Sequence, residues 1–164
     1  MFINDLLDDL RRAGHSVTGM GERYVGFKTY PLLDYLTLVE QAAVKLHPSV
    51  PTREGVRRLG RSVYPRFVET LVGKTMFAIA GNRFDDIIPL ASKAYSVSIT
   101  PGSVTIRDKR PGFALVEFRN FWSLPDSLQV GNFEGAMQVT NTTGEVKVRT
   151  LSPCDVDFEV TWQR

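Results

Sequence analysis

The sequence predicts an α+β domain in which a helical layer precedes a four-stranded antiparallel sheet. Apolar residues recur at helical spacing up to about Tyr95 and alternate with polar residues from about Ser96 onward. One further helical pattern interrupts the alternating part before a final hairpin. Separate runs of helices and strands are typical of α+β folds. We expect the 164 residues to form a single domain, with residues 1–29 as a less regular N-terminal extension.

Apolar stripes and helix-terminating residues predict the first helices. The first helix ends near Gly14, and its stripe consists of Ile3, Leu6, Leu7 and Leu10. A short strand is expected at 24–27. The second helix lies between Pro31, which suits a first turn, and Pro48, which stops it.

Two further helices are expected before the strands. Thr52 is predicted to cap the next helix, and Pro65 predicts a kink or break because it lacks a backbone donor. That helix is expected to resume and to end at Gly81. Asp85 is predicted to cap the helix that reaches Tyr95.

The inserted helix has a recognisable start and an unusual face. Ser123 and Asp126 resemble a capping box, and the helix is expected to end near Thr140. Gly131 and Gly135 are four residues apart, so they share one face of it. We interpret them as allowing close backbone packing against a neighbouring helix or the sheet.

Strands are predicted by short alternating runs. Alternation starts at Val97 and Ile99 and continues at 103–107 and from Phe113. In the final hairpin, a register that pairs Val148 with Phe158 keeps five apolar residues on one face, namely Val146, Val148, Phe158, Val160 and Trp162. It also sets opposite charges across from each other, Lys147 with Glu159 and Arg149 with Asp157. A shift by two residues is the main alternative.

Composition excludes several classes of protein. The net charge of +2 is too balanced to indicate nucleic acid or an anionic membrane as a partner. Cys154 is the only cysteine, so no intrachain disulfide can form. The N-terminus lacks the basic region of a signal peptide, and no apolar run approaches the roughly 20 residues of a membrane span. We expect a cytoplasmic protein.

Few residues suit catalysis or metal binding. His15 and His47 are the only histidines, and we expect both at the surface. No cluster of His, Cys, Asp or Glu has metal-ligand spacing, and no nucleophile–base pair can be argued. The sequence therefore predicts neither an enzyme nor a cofactor.

Three arginines are the sharpest charge feature. Arg53, Arg57 and Arg61 are four residues apart, so they lie on one helical face. As a solvated face, it would tolerate charge reversal at two of them to within about 0.5 kcal/mol. As a functional face, it would bind an acidic protein partner or a phosphate.

Three stretches together resemble a paralogous family of uncharacterised proteins expanded in myxobacteria. They are YPLLDYL at 30–36, RRLGR at 57–61 followed by Tyr64 and Pro65, and a block from GNFEG at 131–135 to Trp162. The layout is more remotely similar to a superfamily of haem-based nitric-oxide-binding domains, vinyl-reductase-type ligand-binding domains and small TRAPP subunits. This resemblance implies ligand sensing or protein assembly rather than catalysis.

The sequence departs from these relatives where they bind metal, haem or lipid. It has no haem-ligating histidine motif, and the cysteine-rich site of the vinyl-reductase-type domains is reduced to Cys154. The helical layer has no cysteine that could be acylated. We therefore expect no haem, metal or covalent lipid.

Our leading hypothesis is a non-catalytic signalling or binding module that forms a homodimer through its helical layer. A small apolar ligand would lie between helices and sheet, with Tyr95 as a polar contact. The other candidate pocket residues are Phe121, Trp122, Phe133 and Met137. The alternative is that these side chains only fill the core, in which case the protein is a dimeric assembly scaffold without a ligand.

Overall fold

The computed structural model describes residues 2–17, 21–25, 28–81, 83–98 and 100–163. Over these ranges the α-helices are α1 (Phe2–Arg12), α2 (Leu32–Leu46), α3 (Thr52–Glu69), α4 (Leu71–Ala80), α5 (Phe84–Ser98) and α6 (Val130–Val139). The strands are β1 (Ser103–Arg110), β2 (Phe113–Arg119), β3 (Thr143–Ser152) and β4 (Asp155–Gln163). Within these ranges we find no helix with the length and hydropathy that crossing a bilayer requires.

The four strands form one antiparallel sheet in the order β1-β2-β4-β3. The predicted α+β architecture, with α6 inserted before the final hairpin, is confirmed. Val148 lies opposite Phe158, as the pattern of charges and apolar residues predicts, and the two-residue shift is excluded. The Nζ atom of Lys147 lies 3.9 Å from Oε1 of Glu159 across the same pair of strands.

Buried side chains form two clusters, one at the sheet and one within the helices. The apolar face of β4 is the centre of the first, and its four residues Val156, Phe158, Val160 and Trp162 are at most 5% exposed. Helices α5 and α6 cover this face. The second cluster joins α1, α2 and α3 through residues such as Leu6, Leu10, Leu38, Val39, Val56 and Leu59.

The end of α5 differs from the prediction. Helix α5 continues to Ser98, so Val97 is helical rather than the start of a strand. Ile99 is outside the described residues. Two alternating residues are too few to distinguish a strand from the last turn of a helix. Asp85 is likewise not a cap, because the helix already begins at Phe84.

Pro65 does not break α3. The helix is continuous from Thr52 to Glu69, and the chain breaks instead at Thr70. The side-chain oxygen of Thr70 accepts a 3.0 Å hydrogen bond from the backbone nitrogen of Gly73, which caps α4. The chain therefore leaves the helix at the capping residue Thr70, whereas Pro65, which lacks a backbone donor, does not interrupt α3. Pro51, rather than Thr52, occupies the N-cap position of α3.

The predicted capping box at Ser123 is also wrong. Leu124 occupies the cap position with a φ of 49°, and no side chain caps the turn. A π-helical turn at Pro125–Gln129 follows and runs directly into α6. A π-helical turn is defined by its backbone hydrogen bonds, and the side-chain pattern of a capping box does not predict them.

The short strand expected at 24–27 is absent from its described part. Tyr24 and Val25 are loop residues, and 26–27 lie outside the described residues. Asn4 holds Tyr24 by two hydrogen bonds of 2.8 Å to its backbone nitrogen and carbonyl oxygen. A side chain of α1 therefore satisfies the backbone groups that a neighbouring strand would have paired.

Candidate ligand-binding site

Helices α3 and α6 touch through their backbones. A Cβ atom added to Gly131 would lie 2.2 Å from the carbonyl oxygen of Arg57, and one added to Gly135 would lie 2.4 Å from that of Arg61. A Cβ atom on Gly60 would lie 3.0 Å from the Cα atom of Gly131. The interpretation that these glycines allow close backbone packing is confirmed.

The arginines on α3 pair with carboxylates of the same chain. Arg57 donates from Nε to Oε2 of Glu134 at 3.0 Å and also binds the other carboxylate oxygen. Arg61 donates to the same Oε2 atom at 2.6 Å. The Nε atom of Arg53 lies 2.9 Å from Oδ2 of Asp126. The face is thus a contact between α3 and the segment containing α6.

We expect the pairing at Glu134 to make stability depend on acid. Burial raises the pKa of Glu134, but hydrogen bonds from Arg57 and Arg61 and their charges outweigh burial and hold the pKa below its usual range. The unfolded carboxylate therefore binds its proton more tightly. The contribution of the paired Glu134 carboxylate to the free energy of unfolding is complete above its ordinary pKa. It is lost as the pH falls through the lower pKa of the folded protein.

Glu134→Gln is expected to cost about 1–2 kcal/mol at pH 7 and to flatten the loss of melting temperature as the pH falls from about 5 to about 2.5. Thermal melts of both proteins across that range test this. Reversal of Arg57 and Arg61 to Glu is also expected to destabilise the chain, because Glu134 would then face two further carboxylates. If the melting temperatures of the wild type and of Glu134→Gln fell equally with decreasing pH, the role given to Glu134 would be contradicted.

A cavity of about 270 Å³ lies between the helical layer and the sheet. Its floor comes from the sheet through Val104, Val116 and Phe118. Its apolar walls come from α3, α5 and α6 through Val63, Tyr64, Phe67, Phe84, Ile87, Ile88, Phe133 and Ala136. Asp5 and Arg66 are the charged residues among those lining it.

The cavity includes two of the five predicted pocket residues. Tyr95 and Phe133 line it. Phe121 is buried behind Tyr95, with ring centroids 5.5 Å apart. Trp122 is 55% exposed, and Met137 is buried, with its Cε atom 3.0 Å from where a Cβ atom of Gly144 would lie.

Three neutral polar side chains meet at the cavity wall. The hydroxyl of Tyr95 donates to Oε1 of Gln129 at 2.7 Å. Nδ2 of Asn132 donates to the same Oε1 atom at 3.0 Å and contacts the Tyr95 hydroxyl at 3.3 Å. Burial raises the pKa of Tyr95 to about 12, although these hydrogen bonds act in the opposite direction. The cluster is therefore uncharged near neutral pH.

Sequence reasoning missed Gln129 and Asn132. These two residues lie three positions apart at the junction of the π-helical turn and α6, so their side chains project from one side of the segment. An amide at a helix junction is ordinarily interpreted as a surface residue. Only the buried environment of Gln129, 4% exposed, reveals it as part of the site.

Both histidines lie away from the cavity. His47 follows the last residue of α2, and His15 lines a separate pocket beside α1. Both are partly buried rather than fully exposed. Burial and the charge of Arg58 lower the pKa of His47. Across the described residues, no group of three or more His, Cys, Asp or Glu is placed to hold a metal ion.

A second cavity, about 410 Å³, adjoins the first between α3, α4 and α5. The two share Tyr64, Phe67, Ile87 and Ala94. Met76, Phe77 and Leu90 complete most of its apolar wall. Helix α4 therefore covers one side of a continuous apolar region.

A protein-family model matches residues 2–163. The chain belongs to the family described as "Protein of unknown function (DUF2378)". No curated protein matches the chain in sequence. This assignment agrees with the expected membership of an uncharacterised family but by itself names no ligand.

Solved structures with a similar fold include H-NOX proteins. The Fe(II) unliganded H-NOX protein from K. algicida superimposes with a TM-score of 0.70 at 10% identity, covering 99% of this chain and 95% of that one. An Fe(II) H-NOX mutant from S. oneidensis gives 0.69 at 14% identity, with coverage of 99% and 95%. An oxygen-binding H-NOX domain related to soluble guanylate cyclases gives 0.68 at 14% identity, with coverage of 98% and 86%. At these identities the likeness concerns the fold.

Proposed function

We propose that this member of the DUF2378 family is a non-catalytic signalling or binding module that takes a small, largely apolar ligand. The observation that carries the proposal is the cavity of about 270 Å³ between helices and sheet. Ligand sites are typically concave and apolar, with a few polar groups that fix orientation. The cluster of Tyr95, Gln129 and Asn132 supplies those groups.

The residues of the cavity do not fit haem. Protein haem iron is held by His, Cys, Met or Tyr, and among the described residues that line the two adjoining cavities only Tyr64, Tyr95 and Met76 belong to these types. Burial raises the pKa of both hydroxyls, which disfavours the phenolate that would bind iron. The hydroxyl of Tyr95 is also engaged by Gln129 and Asn132. We propose that the H-NOX-like fold is used here without haem.

A catalytic role has no support at this site. The polar groups that meet at the cavity wall are a phenol and two amides, Tyr95, Gln129 and Asn132, none of which is a base near neutral pH. The charged lining residues Asp5 and Arg66 belong to α1 and α3, and Arg66 forms an ion pair with Asp9. The structural neighbours are described as H-NOX proteins, some of them gas-bound. Fold-level analogy of this kind supports sensing only as a hypothesis.

Binding tests the proposal with two probes on the full chain. At a free 1-decanol concentration ten times its dissociation constant, the melting temperature is expected to rise by roughly 3–6 °C. Haemin added in parallel is expected to give no Soret band after desalting. A haemin complex that survives desalting would contradict the proposal, and so would the absence of binding by any apolar probe.

The exposed surface of α4 favours a homodimer as a second candidate function. Leu71, Val72 and Ile79 are 82%, 62% and 83% exposed on one short helix. Apolar residues clustered at the surface mark interaction sites more often than isolated ones do. We propose that α4 contributes to self-association of the helical layer, which would also suit an assembly scaffold without ligand.

We expect a dimer by sedimentation at micromolar concentration and a monomer after Leu71→Lys combined with Ile79→Lys. Both residues are exposed, so the melting temperature of the subunit should change little. Leu151→Lys, at an exposed position on β3, is the matched control and should leave the dimer intact. A monomeric wild-type protein would refute the dimer.

An acidic protein partner on the arginine face is a separate proposal with a narrower basis. Arg57 and Arg61 are occupied by Glu134. The side chain of Arg53 is 71% exposed, and its partner Asp126 is 51% exposed. Since exposed ion pairs contribute little to stability, an acidic partner could replace Asp126 at Arg53.

A further inference from the structure

The charged residues of the cavity between helices and sheet lie on one side of it, where α1 meets α3. Asp5 of α1 and Arg66 of α3 line this side. Thr70, four residues after Arg66, also lines the cavity and is exposed, so this side reaches the solvent. The floor of the cavity, on the sheet, is apolar. The cavity therefore joins an apolar interior to a charged opening, which suits an amphiphilic ligand.

The positive charge at the opening is already paired within the chain. Arg66 donates from Nη2 to Oδ2 of Asp9 at 2.5 Å, and the side chain of Asp9 is 17% exposed and also binds Arg12. Asp5 and Asp9 are four residues apart, so they lie on the same face of α1. Across the residues that the structure describes, Asp5 makes no hydrogen bond or ion pair. The charge without a partner at the opening is therefore negative.

We infer that the ligand is a cationic amphiphile whose ammonium group binds Asp5 and whose apolar chain fills the cavity. This inference rests on the proposed function. The charge of Arg66 opposes an ammonium group only weakly, because Asp9 balances it. An anionic head group would have to compete with Asp9 for Arg66 and would lie near the carboxylate of Asp5. An uncharged head group would leave Asp5 without a counter-ion.

Three probes with the same ten-carbon chain isolate the head group. At pH 7 decylamine is cationic, 1-decanol is neutral and decanoate is anionic. We expect the full chain to bind decylammonium roughly tenfold more tightly than 1-decanol, because hydrogen bonds between charged groups are the stronger ones. Decanoate is expected to bind more weakly than 1-decanol. Isothermal titration calorimetry, with each probe kept below its micelle concentration, measures all three affinities.

Variants then locate the preference. Asp5→Asn removes the charge with little change in shape, so it is expected to reduce the preference for decylammonium over 1-decanol to below about threefold. The affinity for 1-decanol itself should stay within about threefold of the wild-type value. Asp8→Asn is the matched control, because Asp8 is 62% exposed on the same helix and does not line the cavity. It should keep the wild-type preference.

Each outcome decides a different claim, and the comparison of probes on the wild-type chain stands even if Asp5→Asn does not fold. Equal affinity for decylammonium and 1-decanol would overturn the inference of a cation while leaving the cavity as a binding site. Tightest binding of decanoate would overturn it in favour of a head group at Arg66. A preference that survives Asp5→Asn, or that Asp8→Asn abolishes equally, would overturn the role of Asp5. Failure of all three probes to bind would remove the proposed function together with this inference.

Discussion

Gly131→Ala is expected to destabilise the chain by about 3 kcal/mol and to lower its melting temperature by roughly 6–12 °C. The new Cβ atom would lie 2.2 Å from the carbonyl oxygen of Arg57 and 3.0 Å from the backbone nitrogen of Arg61. Alanine favours a helix interior over glycine by about 1 kcal/mol. The clash outweighs that gain because it involves the backbone of α3, which no rotamer change can move.

Gly21→Ala is the matched control. The nearest atom to its added Cβ would be the carbonyl oxygen of Arg23 at 3.8 Å, which is ordinary contact. Thermal and denaturant melts of both variants should therefore separate clearly. A Gly131→Ala protein as stable as the wild type would show that α3 and α6 do not pack as closely as described.

Val63→Trp is expected to weaken the binding of 1-decanol at least tenfold without lowering stability. Val63 is partly buried on α3 and lines the cavity. A larger side chain there would occupy space that the ligand needs, and each buried methylene that the ligand loses costs about 0.8 kcal/mol. Filling a cavity often stabilises a fold by about 0.5–2 kcal/mol. Calorimetric titration and thermal melts report the two effects separately.

The same substitution outside the cavity provides the control. Val72 is 62% exposed on α4 and lines neither of the two adjoining cavities. Val72→Trp should bind 1-decanol like the wild type. Equal loss of binding in both variants would show that tryptophan acts through general disturbance of the helical layer.

The sheet and the helix contact could be predicted because their signals are local and redundant. In the final hairpin, apolar alternation and two opposite-charge pairs select the same register, with Lys147 opposite Glu159. Gly131 and Gly135 recur at helical spacing, which predicts a close approach of backbones without naming the partner. Each conclusion rests on neighbours within one element or one hairpin.

The candidate site could not be predicted in detail because it depends on contacts between distant segments. Glu134 joins Arg57 across 77 positions of sequence, so from the sequence alone the arginines fitted either a solvated face or a site for an external partner. Gln129 and Asn132 contact Tyr95 at the point where the π-helical turn runs into α6. Such a turn has no sequence pattern as distinctive as those of helices or hairpins.

Methyl NMR spectra of the full chain, titrated with 1-decanol, test the central claim most directly. The account predicts saturable shifts of the methyl groups of Ile87, Val104 and Ala136, which line the cavity. The methyl groups of Val56 and Leu59, buried in the separate helical core, should not move. Shifts confined to exposed α4 residues, or no shifts at all, would contradict a ligand site between helices and sheet.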